Sequence, residues 1–140
     1  MPVVMLNRKL EHDLIAACRI RLPYEACGIM YGNLTESSVT AEGFAIIRNT
    51  SPFPENRFTF DQNDWIAACY EAQKNQRLIV GLFHSHPDGT VAPSLHDEEA
   101  RAPWESYWIV SFANDQGVVR AYKRDARHRF VALQMVRESR

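Results

Sequence analysis

The sequence predicts a single α/β domain, residues 1–140, in which helices flank a mixed central β-sheet. Two near-continuous apolar runs, Ala26–Tyr31 and Leu78–Phe83, are typical of strands that are buried on both faces. Segments with apolar residues at helical spacing lie between such runs. A chain of 140 residues also has the length of one domain and can bury a hydrophobic core. No repeat or long linker divides it.

The first part of the chain predicts a strand, a helix and a strand pair. Val3–Leu6 is a short apolar run, and Asn7 is a suitable N-cap for the helical spacing that follows. Pro23 ends that helix, because the residue before a proline is disfavoured in helical conformation. Ala26–Tyr31 then forms a buried strand, and we expect Val39–Ile47 to pair beside it.

The middle of the chain predicts a surface loop, a short strand and a second helix. Residues 49–56 are rich in turn formers, and Arg57–Phe60 follows them as a strand. Asp61 caps the next helix. Its apolar face is formed by Trp65, Ile66, Cys69 and Ala72.

The last part predicts a third helix that begins near Ser94, followed by three strands. These strands are Tyr107–Phe112, Val118–Lys123 and Phe130–Met135, with a turn over 114–117 between the first two. Together with the earlier elements, this order is that of a mixed α/β fold.

Composition and charge exclude several classes of function. Apolar residues make up 46% and charged residues 24% of the chain, and no stretch is apolar and long enough to span a bilayer. The N-terminal residues lack the apolar core of a secretory signal, so we expect a cytoplasmic protein. A net charge of -1 gives no reason to expect a nucleic-acid partner. The three cysteines form neither a CxxC pair nor an even set, which suits a reducing compartment.

The stretch GLFHSHPDGTVAPSLHD, residues 81–97, contains the strongest functional pattern. Because side chains alternate along a strand, His84 and His86 point to the same side at the end of a buried strand. Ser94 and Asp97 are three residues apart and project from one face of a following helix. If the Pro87–Gly89 turn folds the chain back, Asp97 meets the two histidines.

Two neutral imidazoles and a carboxylate fit a catalytic zinc site, which takes three protein ligands and leaves one position for water. Such a site also needs a carboxylate that accepts a proton from water and passes it to the leaving amine. The best candidate is Glu25, because a charged residue at the start of the buried run Ala26–Tyr31 is unusual without a purpose.

These residues resemble a known motif. Glu25 before Ala-Cys-Gly, then His84-x-His86, seven residues, Ser94, two residues and Asp97 are similar to the JAMM signature of the MPN-domain (JAB1/MPN/Mov34-like) metallopeptidases. The order of helices and strands resembles that domain over nearly the whole chain. The resemblance implies that His84, His86 and Asp97 bind one Zn²⁺ per chain. It also implies that Glu25 is the general base and acid and that Ser94 stabilises the oxyanion.

The resemblance further implies a substrate. Family members hydrolyse peptide or isopeptide bonds after the C-terminal glycines of ubiquitin or ubiquitin-like proteins. This chain has little room for the insertions that grip ubiquitin, so it looks like the compact prokaryotic members. Among them, it is similar to the bacterial peptidase that releases cysteine from a ubiquitin-like sulfur-carrier protein during cysteine biosynthesis. A zinc-dependent peptidase of that kind is the first hypothesis.

Two other hypotheses belong to different classes of function. The chain is alternatively a non-catalytic MPN scaffold that binds a protein partner through its sheet edge, although the intact ligand set speaks against this. It is also similar to DNA-repair-associated proteins with a His-x-His-Pro and Pro-Ser-x-x-Asp pattern, against which its near-neutral charge weighs. The sequence leaves the oligomeric state open, a dimer included.

Each singled-out residue also has a structural interpretation. Ser94 with Asp97 matches a helix-capping arrangement, and His-x-His alone is usually incidental. Cys27 is read as a buried packing residue rather than a nucleophile. Arg57-Phe58 either borders the substrate cleft or belongs to a structural loop.

Overall fold

The computed structural model describes residues 3–94, 104–113 and 116–138. The third helix, predicted to begin near Ser94, falls mainly on residues outside these ranges, and half of the predicted turn at 114–117 also lies outside them. Ser94 itself is described and is not helical. No helix in the described ranges is both long and apolar enough to cross a bilayer.

Eight strands of the described chain form one mixed sheet, and two helices pack against it. The elements are β1 (Val3–Asn7), α1 (Arg8–Arg19), β2 (Cys27–Leu34), β3 (Ser38–Ile47), α2 (Gln62–Lys74), β4 (Leu78–His86), β5 (Tyr107–Ser111), β6 (Val118–Arg124), β7 (Phe130–Ala132) and β8 (Met135–Glu138). The order across the sheet is β7-β6-β5-β4-β2-β3-β1-β8. The predicted α/β class with a mixed central sheet is confirmed.

The sheet is strongly curled. Ala132 ends β7 at one edge, and Met135 begins β8 at the other edge. Three Cα–Cα steps span at most about 11 Å, so the two edges approach each other at this corner. The curl encloses α1, whose Leu14 and Cys18 are buried in one core with Val4, Val110 and residues of most strands. Asn7 caps this helix as predicted, with its Oδ1 2.7 Å from the backbone nitrogen of Lys9.

Helix α2 covers the other face of the sheet. Asp61 is its N-cap, as predicted, and Oδ2 accepts a hydrogen bond from the backbone nitrogen of Asp64. Ala72 packs with Ile29, Tyr31 and Ile47 of the sheet, and Trp65 and Ala68 join them. The prediction that Ile66 belongs to this apolar face is wrong, because its side chain is 64% exposed.

Two predicted strands differ from the structure. Arg57–Phe60 is not a strand, and within it only Phe60 forms a β-bridge, to Asn49. The reason is that the Asn49 side-chain amide forms hydrogen bonds with backbone groups of this segment. The Asn49 side chain donates to the carbonyl of Arg57 and accepts from the backbone nitrogen of Thr59. The predicted strand Phe130–Met135 splits into β7 and the start of β8, because the chain changes from one edge of the curled sheet to the other.

Strand β4 lies at the centre of the sheet. It pairs antiparallel with β2 and parallel with β5, and all its residues from Val80 to His86 are buried. The predicted strand ended at Phe83, but the pairing continues through His86, which lies opposite Ser111. The two histidines therefore belong to the rigid part of the sheet.

Candidate active site

The candidate site is built around two histidines at the end of β4. His84 and His86 point to the same side, as the strand alternation predicted, and each is 4% exposed. Their Nε2 atoms are 3.0 Å apart, and their ring planes are inclined by 63°. Both imidazoles thus direct the same nitrogen toward one point.

Each imidazole is held by a contact outside the pair. The ring of Phe58 stacks on that of His84, with centroids 4.7 Å apart and an interplanar angle of 24°. The Nδ1 atom of His86 lies 3.1 Å from the carbonyl oxygen and 2.9 Å from the Oγ1 of Thr90. Phe58 thereby connects the loop before α2 to the site, which favours the cleft interpretation of Arg57-Phe58.

Glu25 is buried and lies two residues before the start of β2, the strand beside β4. Cys27 pairs with His84, so continuing this antiparallel register by two residues places Glu25 opposite His86. Ala26 and Ser85 connect the two strands here. The nitrogen of Ala26 donates to Ser85 Oγ at 2.8 Å, and the nitrogen of Ser85 donates to the Ala26 carbonyl at 2.9 Å.

The backbone of Glu25 is fixed by the loop that precedes α2. Its N–H donates to the carbonyl of Pro54 at 2.6 Å, and its carbonyl accepts from the Asn49 amide at 3.0 Å. The carboxyl-bearing residue is therefore held from two sides, by the sheet and by this loop. Such immobilisation suits a group that must meet a reacting atom in one orientation.

The turn after β4 is fastened to the neighbouring strands. Gly89 has φ +89, and its carbonyl accepts from Ser111 Oγ of β5 at 2.7 Å. Further along, Tyr122 of β6 donates its hydroxyl to the carbonyl of Val91 at 2.6 Å. The segment between His86 and Ser94 is thus held in place by hydrogen bonds at Gly89 and Val91.

The other two predicted site residues are Ser94 and Asp97. Ser94 is exposed, and its neighbour Pro93 lines the same cavity as His84. Asp97 lies outside the described residues, so its predicted ligand role stays a prediction. Within the described ranges, no group of three His, Cys, Asp or Glu side chains is arranged to hold a metal ion.

The histidine pair fits a zinc ion. Two nitrogens, each 2.0–2.1 Å from one tetrahedral Zn²⁺, are about 3.3 Å apart. The 3.0 Å between the Nε2 atoms is close to this separation. Since structural and catalytic zinc sites need further ligands, the pair requires at least one more donor, for which Asp97 is the sequence candidate.

A largely apolar cavity of about 500 Å³ extends from His84 along the sheet. Its aromatic lining consists of Phe58, Phe60, Trp65, Trp104, Tyr107, Tyr122 and Phe130. Trp104 packs edge-on against Trp65, with ring centroids 5.4 Å apart. Among the described lining residues there is no carboxylate, lysine or arginine. The cavity therefore suits an uncharged, extended segment beside the histidine pair.

Cys27 is a poor nucleophile in this position. Burial, reinforced by the nearby Glu25 carboxylate, raises the pKa of its thiol to about 12. Its Sγ donates to the carbonyl of Ile47 at 3.3 Å. At neutral pH the group is a thiol, whereas the thiolate is the nucleophile. The structure agrees with a packing role for Cys27.

The fold and this site define the class of protein. The family model described as "Prokaryotic homologs of the JAB domain" matches residues 7–125. The match covers most of the chain, which therefore belongs to this family. The resemblance to a compact prokaryotic JAMM/MPN protein is confirmed.

Two curated relatives are 28% and 29% identical to this chain over the residues that align. Desampylase of Pyrococcus furiosus is 28% identical over 114 residues, 81% of this chain and 76% of that protein. Desampylase of Haloferax volcanii is 29% identical over 85 residues, 61% of this chain and 59% of that protein. The second alignment thus spans less than two thirds of either chain.

Two solution structures share the fold. The first, a protein of Desulfitobacterium hafniense, is 26% identical, with a TM-score of 0.87, and the match covers 99% of this chain and 94% of the other. The second, a protein of Salinibacter ruber, is 25% identical, with a TM-score of 0.72, and coverage is 99% and 92%. The likeness extends over the whole domain.

Sequence reasoning missed Asp88 and Thr90. Thr90 contacts His86, and Asp88 Oδ1 accepts from both the backbone nitrogen and the hydroxyl of Thr90, each at 3.0 Å. The backbone N–H of Thr90 is also the main reason that the pKa of Asp88 lies below its usual value. The signal was the Asp-Gly-Thr order after His-Pro, since aspartate side chains commonly accept from the backbone two residues later.

Proposed function

We propose that the chain is a zinc-dependent peptidase or isopeptidase. It hydrolyses the bond after the C-terminal Gly-Gly of a ubiquitin-like protein, with a sulfur carrier as the proposed substrate. The observation that carries the proposal is the convergence of the two Nε2 atoms, 3.0 Å apart, on the strand beside Glu25. Membership of the JAB-domain family supports it.

The relatives support a ubiquitin-like substrate. Desampylases act on ubiquitin-like protein substrates, and two of them align with this chain. A sulfur carrier is favoured because the chain is compact: only residues 35–37 connect β2 to β3. The cytoplasm stays the predicted compartment, on the sequence grounds given above.

The proposed reaction is a hydrolysis in which the zinc ligands, Glu25 and Ser94 have different roles. Zinc held by His84, His86 and Asp97 would polarise the scissile carbonyl and favour loss of a proton from the attacking water. Glu25 accepts that proton as the water oxygen adds to the carbonyl carbon, and gives it to the departing nitrogen as the carbon–nitrogen bond breaks. Ser94 donates its hydroxyl hydrogen to the carbonyl oxygen as negative charge develops there.

The apolar cavity supports an extended protein tail as the substrate. The extended C-terminal tail of the ubiquitin-like protein enters beside His84 and places its two glycines at the histidine pair. An uncharged side chain of this tail occupies the cavity of about 500 Å³. Glycines fit because the bond to be cut must approach Glu25 and the histidines closely. The leaving amine is then the released cysteine or a lysine side chain.

The test is cleavage of a carrier that ends in Gly-Gly-Cys, and of a Gly-Gly isopeptide adduct, by zinc-loaded protein. We expect Glu25→Gln to bind zinc with wild-type stoichiometry and to cleave about 10²–10⁴-fold more slowly, because the amide cannot transfer the proton. The matched control is Glu36→Gln, at an exposed turn, which should cleave normally. Cleavage by Glu25→Gln at the wild-type rate would overturn the proposed mechanism. Zinc binding without any cleavage by the wild type would favour the scaffold hypothesis.

A further inference from the structure

The protonation of His86 follows from its neighbours. Its Nδ1 atom lies 3.1 Å from the carbonyl oxygen of Thr90. A carbonyl oxygen can only accept a hydrogen bond, so Nδ1 must carry the hydrogen. In a neutral imidazole the other nitrogen, Nε2, then has a free electron pair, and Nε2 is the atom that faces His84.

The hydroxyl of Thr90 is oriented in the same direction. Asp88 Oδ1 lies 3.0 Å from Thr90 Oγ1, and an ionised carboxylate only accepts hydrogen bonds. The hydroxyl hydrogen therefore points to Asp88, and an electron pair of Oγ1 faces Nδ1 of His86, 2.9 Å away. The hydrogen bonds run from His86 to Thr90 and from Thr90 to Asp88.

The geometry of this chain of hydrogen bonds is set by the fold. Asp88 also accepts from the backbone nitrogen of Thr90 at 3.0 Å, which closes the turn around Gly89. The Gly89 nitrogen donates to the His86 carbonyl at 3.1 Å, and Ser111 Oγ holds the Gly89 carbonyl. Thr90 is thus fixed next to His86 by contacts that do not involve the second histidine.

We propose that Asp88 and Thr90 are positioning residues that fix the tautomer and the ring rotation of His86, so that Nε2 presents its electron pair to a metal ion shared with His84. Neither residue touches the metal or the substrate. The proposal rests on the proposed function for the presence of a metal, but the tautomer of His86 is a property of the metal-free chain as well.

The first test is nitrogen NMR of the histidine rings in metal-free protein. Wild-type His86 should carry its hydrogen on Nδ1. In Thr90→Val the backbone carbonyl stays as an acceptor for Nδ1, but the second and shorter contact, to Oγ1, is lost. The ring then becomes freer to rotate, so the Nδ1–H signal should broaden or weaken. Thr90→Ser restores the hydroxyl and should restore the signal. An Nε2–H tautomer of His86 in the wild type would overturn the proposal.

The second test is zinc affinity, measured by competition with a chelator and with zinc ion as the only ligand. Loss of a group that orients a metal-binding histidine typically weakens metal affinity about 10–100-fold. We expect this loss in Thr90→Val and recovery in Thr90→Ser. The matched control is Thr40→Val on β3, the same change outside the site, which should bind zinc like the wild type.

A double-mutant cycle tests whether Asp88 acts through Thr90. Asp88→Ala should weaken zinc binding less than Thr90→Val does, and Asp88→Ala combined with Thr90→Val should bind zinc as Thr90→Val alone does. Additive losses would show that Asp88 acts independently, which would contradict this part of the proposal. Unchanged zinc affinity in Thr90→Val would overturn all of it.

The outcomes also separate this proposal from the proposed function. If wild-type protein binds zinc but cleaves no ubiquitin-like substrate, the function fails while the affinity series still decides the role of Thr90. If wild-type protein binds no zinc, the function fails, and the NMR experiment alone decides whether Thr90 fixes the tautomer of His86.

Discussion

Single residues of the candidate site are oriented by partners that do no chemistry themselves. Phe58 stacks on His84, Thr90 faces His86, and the backbone of Glu25 is held by Pro54 and Asn49. Such contacts reduce the freedom of groups that must meet at one point, and reactions depend strongly on that alignment. At this scale, the neighbours of the motif residues determine which of their atoms face one another.

Cys27 allows a test of whether catalysis uses a thiol. Because burial raises its pKa to about 12, the folded protein keeps the thiol protonated at neutral pH. Cys27→Ser keeps a donor for the Ile47 carbonyl, and we expect its cleavage rate to stay within a few-fold of the wild-type rate. Steady-state cleavage of the carrier adduct measures this, and a complete loss of activity in folded Cys27→Ser would contradict the zinc mechanism.

The raised pKa of the Cys27 thiol makes the stability of the folded protein depend on pH. The folded pKa is about 12 and the ordinary value is 9.0, so the proton is bound more tightly in the folded state. This stabilisation is fully present below pH 9 and is lost as pH rises toward 12. We expect wild-type protein to lose more free energy of unfolding between pH 8 and pH 10.5 than Cys27→Ser does. Urea unfolding at both pH values measures the difference, and equal losses would contradict the assigned burial effect.

At the scale of elements, local signals predict the two described helices well and the edges of the sheet less well. The caps Asn7 and Asp61 were predicted because asparagine and aspartate side chains satisfy the first free N–H groups of a helix. The alternating pattern of Arg57–Phe60 predicts a strand, and this prediction is wrong. In the structure, the Asn49 side chain forms hydrogen bonds with the backbone of Arg57 and Thr59. A pattern of residue types does not reveal such a side-chain partner eight to ten residues away.

The turn after β4 should be sensitive to a single methyl group. Gly89 has φ +89, a conformation that is strained for other residues, and a Cβ added there would lie 2.8 Å from the Cα of Ala113. We expect Gly89→Ala to lower stability by about 1–3 kcal/mol and to weaken zinc binding, because the turn that carries Thr90 must shift. The control is Gly43→Ala, whose added Cβ would have its nearest neighbour at 3.7 Å.

Thermal unfolding and zinc competition of both glycine variants measure these effects. Gly43→Ala should unfold and bind zinc much like the wild type, since it adds a methyl group in ordinary contact distance on β3. If Gly89→Ala were as stable as Gly43→Ala and bound zinc equally well, the turn would not be the rigid support that the structure describes.

At the scale of the whole molecule, the site arises where the middle of a curled sheet meets the loop before α2. The spacing of His84 and His86 predicts that both point to one side, because strand alternation is local information. The place of Glu25 opposite His86 depends on the pairing of β2 with β4, 59 residues apart at Ala26 and Ser85. From the sequence, Glu25 is linked to the histidines by its charge at the start of a buried run and by the resemblance of the motif, and neither gives the distance between them. The contacts of Asp88 and Thr90 near His86 depend on the conformation of the turn after β4, which the pattern of residue types does not give.

Metal analysis decides whether His84, His86 and Asp97 form the proposed zinc site. Mass spectrometry gives the metal content per mole of folded protein for wild type, His84→Ala and Asp97→Ala, purified without added metal. His12→Ala, an exposed position on α1, is the control. With these three ligands, we expect about one zinc per chain in the wild type and the control, and loss of zinc in the other two variants. A wild type that contains no metal and takes up none when zinc is added would contradict it.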